Sequence, residues 1–380
     1  MLKPCAWVIV SVVAATMATP VEAAGLAESA RLAAVYDLIL QARFDQARAE
    51  LTRTCPPAPP ESCLALSAVI QWWEIQLDPN NRSLDKRLQE AAATATDAAE
   101  RWTAREPQRA EAWFYLAGAH APLEQWRLLR GQRLSAARDA LKLKNALDRA
   151  VTLDATLEDA YFGIGLYHYY AAVAPAAVKM LRWLLFLPGG DRAAGLREMQ
   201  RARDGGALLR AEADFQLHWL YLWYEHQPAR ALDLLRGLDR QYPSNPIFLQ
   251  RIAEVERDYL HDHTASARSW QTLLDRANAQ HVAAPAMIAV RARLGLAQEL
   301  IDTSQAQRAI DLLRSTAEAH PVAPYGAEAL AHFVLGRAYD AVNDRNRALT
   351  EWRSAIATTP SDDPDNIRSR ARAAMTRTRR

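Results

Sequence analysis

The feature that most constrains the fold is a long succession of helical segments interrupted at intervals by proline. Windows of roughly 10 to 18 residues carry apolar side chains three and four positions apart, which is the spacing of one helix face. Almost no segment alternates apolar and polar residues as a strand would. Prolines such as Pro107, Pro243 and Pro321 fall between the windows, where helices are expected to end. The sequence therefore predicts an all-helical protein made of many short helices.

One unit near the carboxyl end indicates how these helices pair. It reads EALAHFVLGRAYDAVNDRNRALTEWRSAIATTP and spans residues 328–360. Small residues at Gly336 and Ala348 allow two helices to approach closely, while Tyr339 and Trp352 are large enough to fill the space between them. Pro360 is placed to end the second helix.

These spacings resemble those of the tetratricopeptide repeat, a helix-turn-helix unit of about 34 residues. The resemblance implies an all-α protein whose helix pairs stack into a right-handed superhelix, an α-solenoid, with the first helix of each pair on the concave side. We expect about six to eight such pairs, covering residues 24–364. Weaker copies of the pattern are marked by Ala47 and Leu51, Trp113 and Leu116, Tyr161 and Gly165, Ala231 and Leu235, and Ala309 and Leu313.

The amino terminus is typical of a secretory signal peptide. Lys3 precedes an apolar run over residues 6–18, and Ala23 ends a small-residue cleavage signal. The run is shorter than the roughly 20 residues that a spanning helix needs. We expect cleavage after Ala23 and a periplasmic or secreted protein, with an uncleaved anchor as the alternative.

Two cysteines remain after residue 23, and the proline-rich sequence PPAPPES separates them. In an exported chain, Cys55 and Cys63 are expected to form a disulfide. Two free thiols are the alternative.

An apolar insertion at about residues 173–190 interrupts one repeat, between the helix that contains Tyr170 and the next plausible helix. Its core, KMLRWLLFL, spans residues 179–187 and includes Trp183. The segment is too short for a transmembrane helix, so it is expected either to be buried in the superhelix or to contact a partner or a membrane surface. In the following turn, Asp191 is expected to cap a helix and Gly195 to let two helices pack.

Aromatic residues are unusually dense on two first helices, in YFGIGLYHYY and FQLHWLYLWYEH. One buried face cannot hold so many rings, so some are expected to line a binding cleft for a protein or peptide. The alternative is that most of them pack between helices. The candidate binding residues are Tyr167, His168, Tyr170, Trp183, Trp219, Trp223 and Glu225.

The sequence offers no constellation for catalysis, a cofactor or a metal. His261, Asp262 and His263 are adjacent in one short segment, which cannot close a tetrahedral site by itself, and Asp262 is better explained as a helix cap. Carboxylates such as Glu254 and Glu256 are expected on the charged outer face of a helix. The chain is therefore expected to be a non-enzymatic scaffold, with a lipid or small apolar ligand binding protein as the alternative.

Charge supports this class of function. The chain has 46 basic and 44 acidic residues, a formal charge of +2, so nucleic acid is not an expected partner. Residues 365–380 are rich in arginine and are expected to form a basic capping helix or tail. Contact of this tail with an anionic membrane or an acidic partner is the alternative.

Overall fold

A computed structural model describes residues 25–174 and 189–376. These residues form 17 α-helices and contain no strand, as the sequence predicts. The helices are α1 Ser29–Leu40, α2 Phe44–Thr54, α3 Pro60–Leu77, α4 Asp85–Arg105, α5 Ala110–Leu129, α6 Arg133–Leu153, α7 Ala160–Val173, α8 Arg192–Gly205, α9 Arg210–Trp223, α10 Pro228–Gln241, α11 Pro246–Asp258, α12 His263–Asn278, α13 Pro285–Asp302, α14 Ala306–Glu318, α15 Ala327–Ala341, α16 Arg345–Thr358 and α17 Ile367–Thr376.

Within residues 25–174 and 189–376, neighbouring helices pack as antiparallel pairs, and eight pairs followed by one terminal helix make an α-solenoid. In the α15–α16 pair, a Cβ atom added at Gly336 would lie 2.5 Å from the Trp352 ring, so the ring occupies the space that glycine leaves. The same relation recurs between Gly295 of α13 and Trp270 of α12. The predicted roles of the small and large residues of the repeat are confirmed.

The interrupted repeat is completed by α7 and α8. A Cβ atom at Gly195 would lie 2.6 Å from the backbone oxygen of Gly165, so these helices touch through two glycines. Asp191 caps α8 by accepting a hydrogen bond from the Ala194 N–H at 2.9 Å. Both predictions about this turn are confirmed, whereas the core of the insertion at 179–187 lies outside the described residues.

Helices of the first repeats also pack against helices of much later repeats. The Tyr36 hydroxyl of α1 donates to the buried Glu212 carboxylate of α9 at 3.1 Å. Farther along, the Asn245 side-chain amide donates to the Leu40 backbone oxygen at 2.8 Å. Helix α1 therefore runs along the amino-terminal ends of the later first helices.

Helix α3 lies against the same face and is apolar on nearly all sides. Its Trp73 is 1% exposed and packs against Phe215 of α9, with ring centroids 5.2 Å apart, and against Phe248 of α11 at 6.1 Å. After its last turn, the Asp78 carboxylate accepts a hydrogen bond from the Tyr325 N–H at 2.9 Å. The resemblance to the tetratricopeptide repeat predicts that the concave, first-helix surface receives a partner. Helix α3 of the chain itself occupies part of that surface.

The disulfide predicted from the sequence is present. Cys55 and Cys63 are joined in a disulfide that links the end of α2 to the start of α3. Helix α17 caps the array by burying Ile367 and Ala371. Residues 1–23 lie outside the described residues, so export and cleavage stay predictions.

Candidate binding groove

The part of the first-helix face that α3 leaves open begins with a group of aromatic rings. On α9, Trp219 and Trp223 are one helical turn apart and stack with centroids separated by 4.3 Å. The Trp223 side chain is 48% exposed, and Trp219 is half-buried. Tyr170 at the end of α7 is 36% exposed and meets Tyr224 edge-to-face at 5.8 Å. We call these four residues the aromatic platform.

The two tyrosines of the platform both contact Tyr169, whose ring centroid lies 6.1 Å from that of Tyr170 and 5.7 Å from that of Tyr224. The Tyr169 hydroxyl donates to the Glu225 carboxylate at 2.5 Å, and the Arg192 Nε donates to the same carboxylate at 2.8 Å. The hydrogen bond from Arg192 is the main reason that the pKa of Glu225 lies below its usual value. Glu225 therefore supports the platform by joining α7, α8 and α9.

The candidate residues predicted from sequence separate into two groups. Trp219 and Trp223 stack on each other, and Tyr170 contacts Tyr224, the residue after Trp223. Glu225 follows Tyr224 and bonds to Tyr169 and Arg192. Tyr167 and His168 serve contacts within the fold instead, because the Lys144 ammonium lies 5.6 Å from the Tyr167 ring and His168 Nδ1 lies 2.7 Å from Glu198. Trp183 lies outside the described residues.

Beyond the platform, the open face continues into a cavity of about 310 Å³. The last turn of α3 forms one wall, and α11, α13, α15 and the start of α17 form the others. Four arginines and three acidic residues contribute to its lining, so it is strongly polar without a large net charge. These residues are Arg251, Arg257, Arg291, Arg370, Asp78, Glu254 and Asp365.

Arg251 joins the platform to the cavity. Its guanidinium lies 5.0 Å from the Trp219 ring centroid and pairs with Glu254 at 2.5 Å. Its buried Nε has no hydrogen-bond partner among the described residues. A stacked tryptophan and an incompletely satisfied guanidinium are therefore adjacent on one surface.

Burial shifts the ionisation of the groups deeper in the cavity. Desolvation is the main reason that the pKa of Arg291 lies below its usual value, and the same effect raises the pKa of Asp78 against the opposing influence of Arg291 and the Tyr325 N–H. Each charged form is thus less favourable here than in water. A ligand that offered opposite charge or hydrogen bonds to Arg291 and Asp78 would offset the free-energy cost of burying their charged forms.

Several cavity residues were missed or misplaced by the sequence analysis. Glu254 was expected on an outer face, yet it lines the cavity; Glu256 was expected there too, yet it is 4% exposed and accepts a hydrogen bond from Ser269 at 2.6 Å. The expectation for Glu254 was wrong because the last turn of α3 and the facing first helices enclose this part of the repeat surface. The expectation for Glu256 was wrong because Ser269 of α12 and Arg236 of α10 both contact it. The only sequence signal was the run QRIAEVER, whose charged residues recur along one first helix.

The histidine cluster has a structural role. Asp262 caps α12 by accepting from the Ala265 N–H at 2.8 Å, and His263 Nδ1 lies 2.8 Å from the buried Glu299. No cluster of metal-binding side chains occurs within residues 25–174 and 189–376. Over the same ranges, no helix is both long enough and apolar enough to cross a bilayer.

No protein-family model and no curated protein sequence match the chain. Among solved structures, yeast Tom70 is similar at 14% identity and a TM-score of 0.42, over 82% of this chain and 64% of the Tom70 chain. A human IFIT1 dimer with PPP-AAAA is similar at 12% identity and a TM-score of 0.45, over 92% and 85% of the respective chains. YrrB, described as a TPR protein with an unusual peptide-binding site, is similar at 15% identity and a TM-score of 0.31, over 73% and 98%. At such low identity, these similarities imply nothing about a ligand.

Proposed function

We propose that this α-solenoid of tetratricopeptide-like helix pairs is an exported, non-enzymatic scaffold that binds a segment of another protein. The observation that carries the proposal is the continuity of the aromatic platform with the arginine-containing cavity. The Trp223 side chain is 48% exposed at the end of α9. By contrast, Trp73 is 1% exposed and is buried against Phe215 and Phe248. Large rigid rings at an open surface are the residues that most often dominate protein binding.

The chemistry of the groove indicates the kind of segment that fits it. An aromatic residue or a proline can lie against the Trp219–Trp223 stack, where the ring faces supply contact area at little entropic cost. An acidic or amide side chain a few residues away can then reach Arg251 and the cavity. We infer that the partner segment is extended and combines one apolar anchor with a nearby polar or acidic group.

A lipid or another apolar ligand is the competing proposal. Burial of an acyl chain against four guanidinium groups and three carboxylates would remove their hydration without replacing it. The cavity therefore favours a polar ligand. The insertion at 179–187 lies outside the described residues, and neither proposal draws on it.

The location and role of the scaffold rest on the sequence of residues 1–23. We propose that cleavage after Ala23 delivers the protein to the periplasm, where a helical scaffold can take part in assembly of the envelope. Detection of a chain that begins at residue 24 in a periplasmic fraction would support this, and a chain retaining Met1 in the cytoplasm would contradict it.

The binding proposal is tested by quantitative affinity capture from the native envelope with four forms of the chain from residue 24 onward. The forms are wild type, Trp223→Ala, Arg251→Gln and the exposed control Val322→Ala, whose position is 95% exposed and outside the groove. We expect one protein to be retained by the wild type and the control and depleted from both groove variants.

Calorimetry with the retained protein, and then with segments of it, gives the affinity. Loss of one well-packed aromatic anchor should cost about 2 kcal/mol or more. Equal retention by all four forms would place the interaction elsewhere, and enrichment of lipid without protein would favour the competing proposal.

A further inference from the structure

We propose that the turn between α5 and α6 binds the surface of an anionic lipid bilayer. This inference is independent of the groove, because it concerns residues at the edge of the array. It rests on three observations: clustered exposed leucines, a rigid turn that holds them, and cations without ion-pair partners around them.

Exposed leucines are concentrated at this turn. Leu128 is 53% exposed, Leu129 is 38% exposed and Leu134 is 74% exposed. These three lie within seven consecutive residues, although only nine large apolar side chains are exposed among all the described residues. Apolar side chains that cluster at the surface usually mark a contact site.

The turn is built to hold these leucines in fixed positions. Arg130 pairs in a bidentate manner with the Asp85 carboxylate, with both N–O distances at 2.7 Å, and also donates to the Pro79 backbone oxygen at 2.7 Å. Gly131 adopts a positive φ of 73°, which glycine accepts without strain, and the Gln132 N–H closes the turn on the Arg127 oxygen at 2.8 Å. The leucines therefore project from an ordered structure.

The charges around the leucines are of one sign. Arg133, Arg138 and Lys142 are exposed and make no ion pair with any residue of the described ranges. The one acidic side chain between residues 127 and 144, Asp139, is buried and paired with Arg127. The exposed charge of this turn is thus positive, although the whole chain is nearly neutral.

The neighbouring helix extends the positive surface. Because Asp85 is bound to Arg130, the start of α4 lies beside the end of α5. Arg82 and Arg87 flank Asp85 and are both exposed. Two exposed cations of this second segment therefore lie within three positions of the carboxylate that Arg130 binds.

This combination fits a bilayer better than it fits a folded partner. Leucine side chains need no complementary pocket in order to enter the region between headgroups and acyl chains, while arginine and lysine remain among the phosphates. Each basic residue near an anionic surface adds attraction that salt weakens. The turn would thus give the scaffold a contact of its own with a membrane surface.

The test measures binding of the chain from residue 24 onward to vesicles by cosedimentation. The vesicles contain phosphatidylcholine alone or phosphatidylcholine mixed with phosphatidylglycerol, at low and high salt. The variants are Leu128→Ser with Leu134→Ser, Arg133→Glu with Arg138→Glu, and Val322→Ser as the control for an exposed apolar residue elsewhere. All substituted positions are exposed, so circular dichroism should show unchanged folding.

We expect the wild type and the Val322 control to bind the anionic vesicles in a salt-sensitive manner and to bind neutral vesicles much less. Reversal of two charges should lower the partition coefficient by at least about tenfold, and loss of two leucines should lower it on both kinds of vesicle. Absence of wild-type binding, or equal binding by the wild type and both turn variants, would overturn the proposal.

Discussion

Replacement of Trp73 by alanine tests whether α3 holds the two halves of the array together. The side chain is 1% exposed and contacts Phe215 and Phe248, which belong to repeats more than 140 positions later in the chain. Burial of about 250 Å² at about 25 cal/mol per Å² gives an upper value near 6 kcal/mol for the whole side chain. Truncations of buried tryptophan typically cost about 3 to 5 kcal/mol, and we expect a loss in that range.

The expected shape of the unfolding curve is as informative as its midpoint. In the wild type, α3 couples the early repeats to α9 and α11, so urea unfolding followed by circular dichroism should be steep. Without the Trp73 ring, we expect a shallower curve or two separate transitions, because the remaining contacts are mainly between adjacent repeats.

Trp223→Ala is the matched control for this experiment. The same ring is lost, but the position is 48% exposed, so the cost should be about 2 kcal/mol or less and the slope should not change. If Trp73→Ala and Trp223→Ala gave the same midpoint and the same slope, the structural role assigned to α3 would be refuted.

Three further predictions concern packing, ionisation and the disulfide. Gly336→Ala should lower the free energy of unfolding by about 1 to 3 kcal/mol because the new Cβ atom would meet the rigid Trp352 ring, and urea titration measures the loss. Burial, and after it the Asp139 carboxylate, raises the pKa of Glu124 on α5 to about 8. The stability contributed by its neutral form is fully present below its ordinary pKa and is lost as the pH rises through 8, so Glu124→Gln should remove up to about 4 kcal/mol of pH dependence from melts at pH 5 to 9. Removal of the disulfide by Cys55→Ser with Cys63→Ser should cost about 2 to 3 kcal/mol, measured by thermal unfolding without reductant.

Each of these predictions has its own check. Gly237→Ala is the control for packing, since a Cβ atom there meets nothing within 4 Å and should stabilise α10 by about 0.5 to 1 kcal/mol. A wild-type stability that stays constant from pH 5 to 9 would contradict the argument for Glu124. If reductant destabilised the serine variant as much as the wild type, the effect would not come from the disulfide.

The helical repeats were predictable because their signals are local. Gly336, Trp352 and Pro360 act on neighbours within one pair, and Asp191 caps the helix that follows it directly. Cys55 and Cys63 are close in sequence, and their pairing was predictable for the same reason. The density of rings in two first helices indicated that some of them stay exposed, and Tyr170 and Trp223 are exposed; their role in binding stays a prediction.

The cavity could not be predicted because it depends on distant segments. Arg291 of α13 and Asp78, which follows α3, both line the cavity and form an ion pair. No repeat pattern relates these two positions. The composition of α3 contained one relevant signal, since a helix that is apolar on nearly all sides is expected to be buried on nearly all sides. The sequence did not indicate which helices would surround it.

The contacts of α1 and α3 also constrain how the chain can be synthesised. The bond from Asn245 to Leu40 spans 205 residues, and the bond from Tyr325 to Asp78 spans 247 residues. An ordinary repeat protein can fold progressively from its amino terminus because each unit meets only its neighbours. Here the earliest helices emerge first, yet their apolar faces remain uncovered until the later repeats have been made. Nascent chains of this protein therefore expose α3, with Trp72 and Trp73, to chaperones or to aggregation until at least Phe215 and Phe248 have been made.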